Sequence, residues 1–219
     1  MHKLPTHELV YRRIREMILF GEFAPGQAVT IQGLVAELGA GMTPVREAIR
    51  RLTAEGALEF RGNRRVSLPE ITLAQLDEIS HARQAIEPHL ARLAARNVRP
   101  KDIDALRQID DALNLAIARG DVMGYLKHNC RFHTTLYQHA DARILMQITN
   151  SLWLKVGPSL RVVCGRYGTA NLPDMHDEAL DGMRQKDPDA VARAIAEDIH
   201  QGHEQIRLSL REPEMSETD

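Results

Sequence analysis

Apolar residues recur at helical spacing from the start of the chain. Leu9, Val10, Ile14, Met17 and Ile18 make one stripe, with Thr6 placed to cap the helix and Gly21 to end it. Pro25-Gly26 marks a turn. Thr30 can cap a short helix over Ile31–Leu38 that Gly39 closes, and a tight Gly-Ala-Gly-Met connection follows. Thr43 as N-cap and Pro44 as first helical residue predict a third helix over 44–55, with Val45, Ala48, Ile49 and Leu52 inward and Gly56 as its stop. The period then changes from helical to twofold. Leu58 and Phe60, then Val66 and Leu68, alternate around Gly62-Asn63, the pattern of a β-hairpin. Three short helices and a hairpin predict a winged helix-turn-helix over residues 1–69, with Pro69 beginning a linker.

From Thr72 onward the period is helical throughout. The spacing predicts helices over 73–97, 101–119, 122–139, 142–163, 175–186 and 189–211, with Asp121 and Asp187 as N-caps and a bend at Pro88. The expected fold is therefore mainly α: the winged domain, then an antiparallel helical bundle over 70–212. The acidic, polar residues 213–219 are expected to be a disordered tail.

Composition changes this picture little. Of 219 residues, 43% are hydrophobic, 26% charged and only 4% aromatic, an ordinary soluble balance. No apolar run is long enough to span a membrane and no signal core opens the chain. Cys130 and Cys164 do not make a disulfide framework, so a cytoplasmic setting is expected.

Charge says more by its distribution than by its sum. The net charge is −2, yet residues 1–69 hold ten Lys/Arg against seven Asp/Glu, and residues 46–65 hold six arginines against three glutamates. A local basic patch fits phosphate contact, and equally a solvated face of mixed charge. If the third helix enters a major groove, Met42, Thr43, Val45 and Arg46 at its start reach base edges, and Arg46 can donate two hydrogen bonds to guanine. Arg50, one turn on, suits phosphate, and Gln32, early in the preceding helix, suits backbone or base. Arg61, Gly62, Arg64 and Arg65 lie on the wing, where arginine meets phosphate or the minor groove. The plain alternatives are a surface ion pair of Arg46 with Glu47 or Glu16, and mere solubility for Arg50 and Arg51.

A second group of polar residues falls on apolar faces. Asn129 and His133 are four residues apart on the inward face of helix 122–139. His176 lies with Ala179, Leu180 and Met183, and Asp198 borders the stripe of Val191, Ile195, Ile199 and Ile206. Imidazole with carboxylate suits a divalent ion such as Zn²⁺ or Ni²⁺. The alternative is that each is an independently satisfied core residue. Cys130 is read as a packing residue, and His203, near the apolar edge of its helix, as a substitute ligand.

The segment GEFAPGQAVTIQGLVAELGAGMTPVREAIRRLTAEGALEF resembles the DNA-binding domain of the GntR family of bacterial regulators, most specifically in TPVREAIRRLTAEG. One departure is Met42, where the family usually carries arginine or lysine before Thr-Pro. Residues 72–210 resemble the all-helical ligand-binding domain of its FadR-like branch, carried by HARQAIEPHLARLAARN, NCRFHTTLYQHA and HDEALDGMRQKDPDAVARAIAEDIH. The resemblance implies homodimers on palindromic double-stranded operators, responsive to a small organic or sugar acid. It also implies a metal held by Asn129, His133 and His176, with Asp198 where the last histidine of the family pattern would be. Arg83, in Arg-x-x-x-Glu with Glu87, matches an arginine that holds an effector carboxylate; alternatively the two make a surface i,i+4 pair.

A metal sensor in which the ion is itself the signal uses the same residues. A metal-dependent hydrolase is disfavoured by the absence of HExxH and GxSxG, so no enzymatic activity is expected. An architectural DNA protein fits poorly with the low net charge and the large second domain.

Overall fold

The computed structural model describes residues 6–61, 65–166 and 174–211. Its first three helices are α1 (Thr6–Leu19), α2 (Ile31–Leu38) and α3 (Met42–Ala54). Helix α1 buries Val10, Tyr11, Ile14, Met17, Ile18 and Leu19, whereas Leu9, expected in the stripe, is exposed. The Oγ1 of Thr30 accepts from the Gly33 amide to start α2, and Gly39 ends it at φ 57° in the left-handed region. Helix α3 begins earlier than expected. Gly41 is its N-cap, with no side-chain bond, and Thr43 lies inside the first turn. Its buried positions Val45, Ala48, Ile49 and Leu52 are those of the sequence pattern.

A three-stranded antiparallel sheet completes this end, in the order β1 (Ala28–Val29), β3 (Arg65–Ser67), β2 (Glu59–Arg61). Phe60 pairs with Val66 and Val29 with Val66 from the other side. The two-residue β1 was too short to show a period; backbone bonds between Gly26 and Leu68 and between Leu68 and Gln27 continue its ladder. Leu58 is buried but Phe60 is exposed, so the alternation holds only in part. The Gly62-Asn63 turn lies outside the described residues.

The remaining helices are α4 (Leu73–Ala95), α5 (Pro100–Ala118), α6 (Val122–Gln138), α7 (Arg143–Arg166), α8 (Met175–Arg184) and α9 (Pro188–Arg211). A Thr72/Gln75 capping box starts α4, and Asp121, Asp174 and Asp187 accept the first amides of α6, α8 and α9. Helix α4 runs unbroken through Pro88. The tail at 213–219 lies outside the described residues. No described helix is long and apolar enough to cross a membrane.

Two apolar clusters hold the molecule. One sits between α4, α5, α6, α8 and α9, around Leu90, Leu106, Phe132, Leu180 and Ile195. The other joins α1, α3 and the sheet to Leu76 and Ile79 of α4, Cys130 of α6, and Trp153, Leu154 and Val156 of α7. Helix α7 therefore belongs to the helical bundle and to the packing of the winged part at once. It approaches α1 closely at Gly157, where a Cβ would meet the Leu19 carbonyl oxygen at 3.2 Å.

Candidate functional site

Five helices of the bundle send polar side chains to one buried point. The heptad-like inward row of α4 is Leu76, Ile79, Arg83, Glu87, Leu90 and Ala94, so Arg83 and Glu87 occupy slots that otherwise hold hydrophobics. On α6 the residues Asn129, His133 and Tyr137 follow one another at four-residue intervals on the buried face. Asp110 of α5 fills an inward slot between Leu106 and Leu113. His176 enters from α8 and Asp198 from α9.

Their atoms meet at short range. His133 Nε2 lies 3.0 Å from Asp198 Oδ2. His176 Nε2 lies 3.3 Å from His133 Nε2 and 3.8 Å from Asp198 Oδ1. The other ring nitrogens are engaged outward: His176 Nδ1 with Asp110 Oδ1 at 3.1 Å, and His133 Nδ1 with the Tyr137 hydroxyl at 3.0 Å. Tyr137 has one proton and donates it to Glu87 Oε2 at 2.9 Å. Its oxygen must then accept from His133 Nδ1–H, which leaves the Nε2 lone pair of a neutral His133 pointing inward. Asp110 is an acceptor only, so a neutral His176 likewise carries its proton on Nδ1. In those tautomers two imidazole lone pairs and a carboxylate converge, an arrangement a cation would complete; without one, a proton on an Nε2 must bridge His133 to Asp198 at 3.0 Å.

The spacing suits one. Donors about 2.0–2.2 Å from a tetrahedral or octahedral ion stand about 3.0–3.5 Å apart, close to the observed 3.0, 3.3 and 3.8 Å. Histidines whose far nitrogens are fixed by a carboxylate or hydroxyl match the usual outer support of such a site. With no ion present, protons on the imidazoles balance the Asp198 charge, in competition with a metal. Burial works against the Asp198 anion, but the facing His133 and His176 hold it down at about 2. Burial pushes His133 down, against the pull of the facing Asp198 carboxylate. Burial also opposes the His176 cation, yet its bond to Asp110 and the charge of Asp198 leave it raised.

Four of the side chains around this point were not singled out in the sequence. Asp110, Tyr137 and Trp153 were missed, and Glu87 entered only as a surface partner. The Arg83–Glu87 pair is instead buried, with Nε to Oε1 at 2.7 Å and side chains 7% and 0% exposed, because both residues lie on the inward row. Trp153 Nε1 donates to Glu87 Oε2 at 3.2 Å, its ring is 5.1 Å from that of His133, and Arg83 lies over it at 4.6 Å. His203 does not join the group. It faces α4, 3.0 Å from Asp77, and forms a separate outer cluster with His200 and Glu204. Cys130 is a buried free thiol pushed up to about 11 by burial.

At the other end of the molecule Gln32, Thr43, Arg46, Arg50, Arg61 and Arg65 are all exposed; Gly62 and Arg64 lie outside the described residues. Glu47 pairs with Arg50 at 2.8 Å, and no ion pair of Arg46 occurs among the described residues. Arg61 is braced by Glu59 and Glu70 at 2.6 and 3.0 Å. Arg51 is no spare surface charge. It lies 3.6 Å over the Tyr11 ring and bonds Glu8 and Glu55, fixing α3 against α1.

Comparison with known proteins accords with both ends. The family of bacterial regulatory proteins of the gntR type matches residues 6–67, and the FCD domain matches residues 78–201. The HTH-type transcriptional regulator McbR of Escherichia coli is 28% identical over 191 residues, 86% of each chain. The HTH-type transcriptional repressor RspR of the same organism is 27% identical over 207 residues, 93% of this chain and 90% of its own. The solved structure of E. coli McbR/YncC superposes with a TM-score of 0.87 at 26% identity, covering 94% of this chain and 99% of the other. The chain belongs to the GntR family of bacterial transcriptional regulators, in the FadR-like branch that joins the helix-turn-helix to a helical FCD domain.

Proposed function

We propose that this regulator binds a palindromic operator as a homodimer, and that a small organic acid bound in the helical domain at a divalent-metal site controls its affinity. Asn129, His133, His176 and Asp198 would hold the ion, Zn²⁺ or Ni²⁺ by their chemistry. The observation that carries the reading is the convergence of His133 Nε2, His176 Nε2 and the Asp198 carboxylate at distances one ion could span. The ion would supply a positive charge able to anchor an acid ligand.

The chain's own residues supply the rest. Asp110 and Tyr137 fix the rings of His176 and His133. Arg83, kept charged and oriented by Glu87, would meet the acid's carboxylate, since a desolvated anion needs a cationic partner. Trp153 touches His133, and its neighbour Leu154 packs in the cluster that seats α1 and α3. A shift of α7 would therefore reach the recognition helix α3, whose Thr43, Arg46 and Arg50, with Gln32 and the wing arginines Arg61, Arg64 and Arg65 and Gly62, would meet the operator. A tenfold change in operator affinity needs only about 1.4 kcal/mol of differential binding.

The test is operator titration by fluorescence anisotropy, on a site selected from random DNA. Protein stripped with chelator, reloaded with zinc, and reloaded with zinc plus a panel of small carboxylates would be compared. A change of about fivefold or more with zinc plus one acid supports the reading. Zinc alone producing the whole change makes the ion the signal. Identical titrations in every state would refute control through this site.

A further inference from the structure

A second cleft, remote in composition from the histidine cluster, lies where the two domains meet. It has a volume of about 540 Å³ and is walled by the end of α3, the first strand of the hairpin, the linker, the start of α4 and α7. That volume is within the range of small-ligand pockets, about 300–1,000 Å³. Its apolar walls are Ile79 and Leu154, both buried, the half-buried Ile71, and Phe60, which is 60% exposed. An aromatic ring left open to water beside the apolar part of a mixed cleft is a surface that a ligand would cover.

Two polar groups in this cleft lack partners. Lys155 is half-buried, and no carboxylate lies within ion-pairing distance of it among the described residues. Its Nζ stands over Gly56 so closely that a Cβ there would lie 2.4 Å away. Thr53 Oγ1 is buried and makes no hydrogen bond. A half-buried ammonium with no counter-ion is free to take an anionic group, and the unpartnered Thr53 hydroxyl beside it is a further polar group that a ligand could engage on a small side-chain rotation. Of the two glutamates at the edge, Glu59 is neutralised by Arg61 and Glu78 is exposed.

We infer that this cleft binds a small amphipathic monoanion, an aromatic or branched monocarboxylate. Its charged group sits on Lys155 beside Thr53, and its apolar body lies against Phe60, Ile71, Ile79 and Leu154. Such a ligand touches the last turn of the recognition helix α3 and the helix α7 together. It therefore clamps the two domains in the arrangement seen here, independently of the metal.

The experiment uses full-length protein and 1-anilinonaphthalene-8-sulfonate, an aromatic monoanion whose fluorescence rises in apolar sites. Saturable binding near one per chain is expected. The dissociation constant should rise about tenfold in Lys155→Met, which keeps the apolar stem, and rise also in Phe60→Ala. Phenylacetate should displace the probe. Thermal melting checks that both variants are folded, and His133→Ala should bind the probe as the parent does. The inference is overturned if the parent and folded Lys155→Met titrate alike, if the parent does not bind the probe, or if His133→Ala abolishes binding and so places the probe in the helical core. The last outcome would leave the metal-site reading standing.

Discussion

Replacing Tyr137 by phenylalanine removes one buried oxygen and should loosen the metal site without touching a ligand. The side chain is fully buried, and its hydroxyl makes two bonds, to Glu87 at 2.9 Å and to His133 Nδ1 at 3.0 Å. The first is charge-assisted, and losing the second strands a buried N–H. Together these are worth about 2–6 kcal/mol, given about 1–3 kcal/mol for each lost or orphaned partner. For a chain of this size that lowers the melting temperature by about 4–24 °C. The consequence for function is separate. Without the hydroxyl, nothing obliges His133 to keep its proton on Nδ1, and the Nε2 lone pair is no longer reserved for the ion. Loss of such an outer partner typically weakens metal binding about 10- to 100-fold. Zinc affinity by competition with a chromophoric chelator, paired with calorimetry of the metal-free protein, reads both effects. Tyr137→Phe binding zinc as tightly as the parent, despite a lowered melting temperature, would refute the argument that Tyr137 sets the His133 tautomer.

Three further outcomes follow from particular contacts. Arg46→Ala should weaken a selected operator by about 1–3 kcal/mol while changing random-sequence DNA much less; equal losses on both would place Arg46 on phosphate. The Cys130 thiol, pushed up to about 11, stays protonated at pH 8, so in a Cys164→Ser background iodoacetamide should label it only after denaturation, and rapid labelling of the folded protein would contradict its burial. Gly157→Ala sets a methyl 3.2 Å from the Leu19 carbonyl and should cost about 1–3 kcal/mol of stability with zinc affinity intact; unchanged melting would show that α7 and α1 are not so tightly apposed.

Much of the architecture was legible because it is written in period. Helices with apolar faces and Asp or Thr caps fall within a few residues of their expected bounds. The error at α3 has a local cause: Thr-Pro resembles a helix start, but the glycine at 41 already lets the chain turn, so Met42 and Thr43 enter the first turn. The hairpin's edge strand misled for another reason, since Phe60 alternates correctly yet lies at a cleft that leaves it open. In the helical domain the sequence singled out His133, His176 and Asp198, which the fold brings together. It hid their supports. Asp110 stands beside Asp111 and looks like one charge in an acidic helix, although its place between Leu106 and Leu113 marks an inward slot. Arg83 and Glu87 likewise stand in the inward row between Ile79 and Leu90. The cleft at Lys155 had no signal at all, because it forms only when residues 53–79 meet the distant stretch 154–158.

Control through the helical domain requires that the three converging donors hold an ion. Protein dialysed against zinc and nickel, then desalted, should carry close to one equivalent of metal per chain by elemental analysis. His133→Ala and Asp198→Ala should each lose it. A metal-free parent, or variants that retain the parent's metal, would contradict the site and leave a polar cavity centred on Arg83 and Glu87.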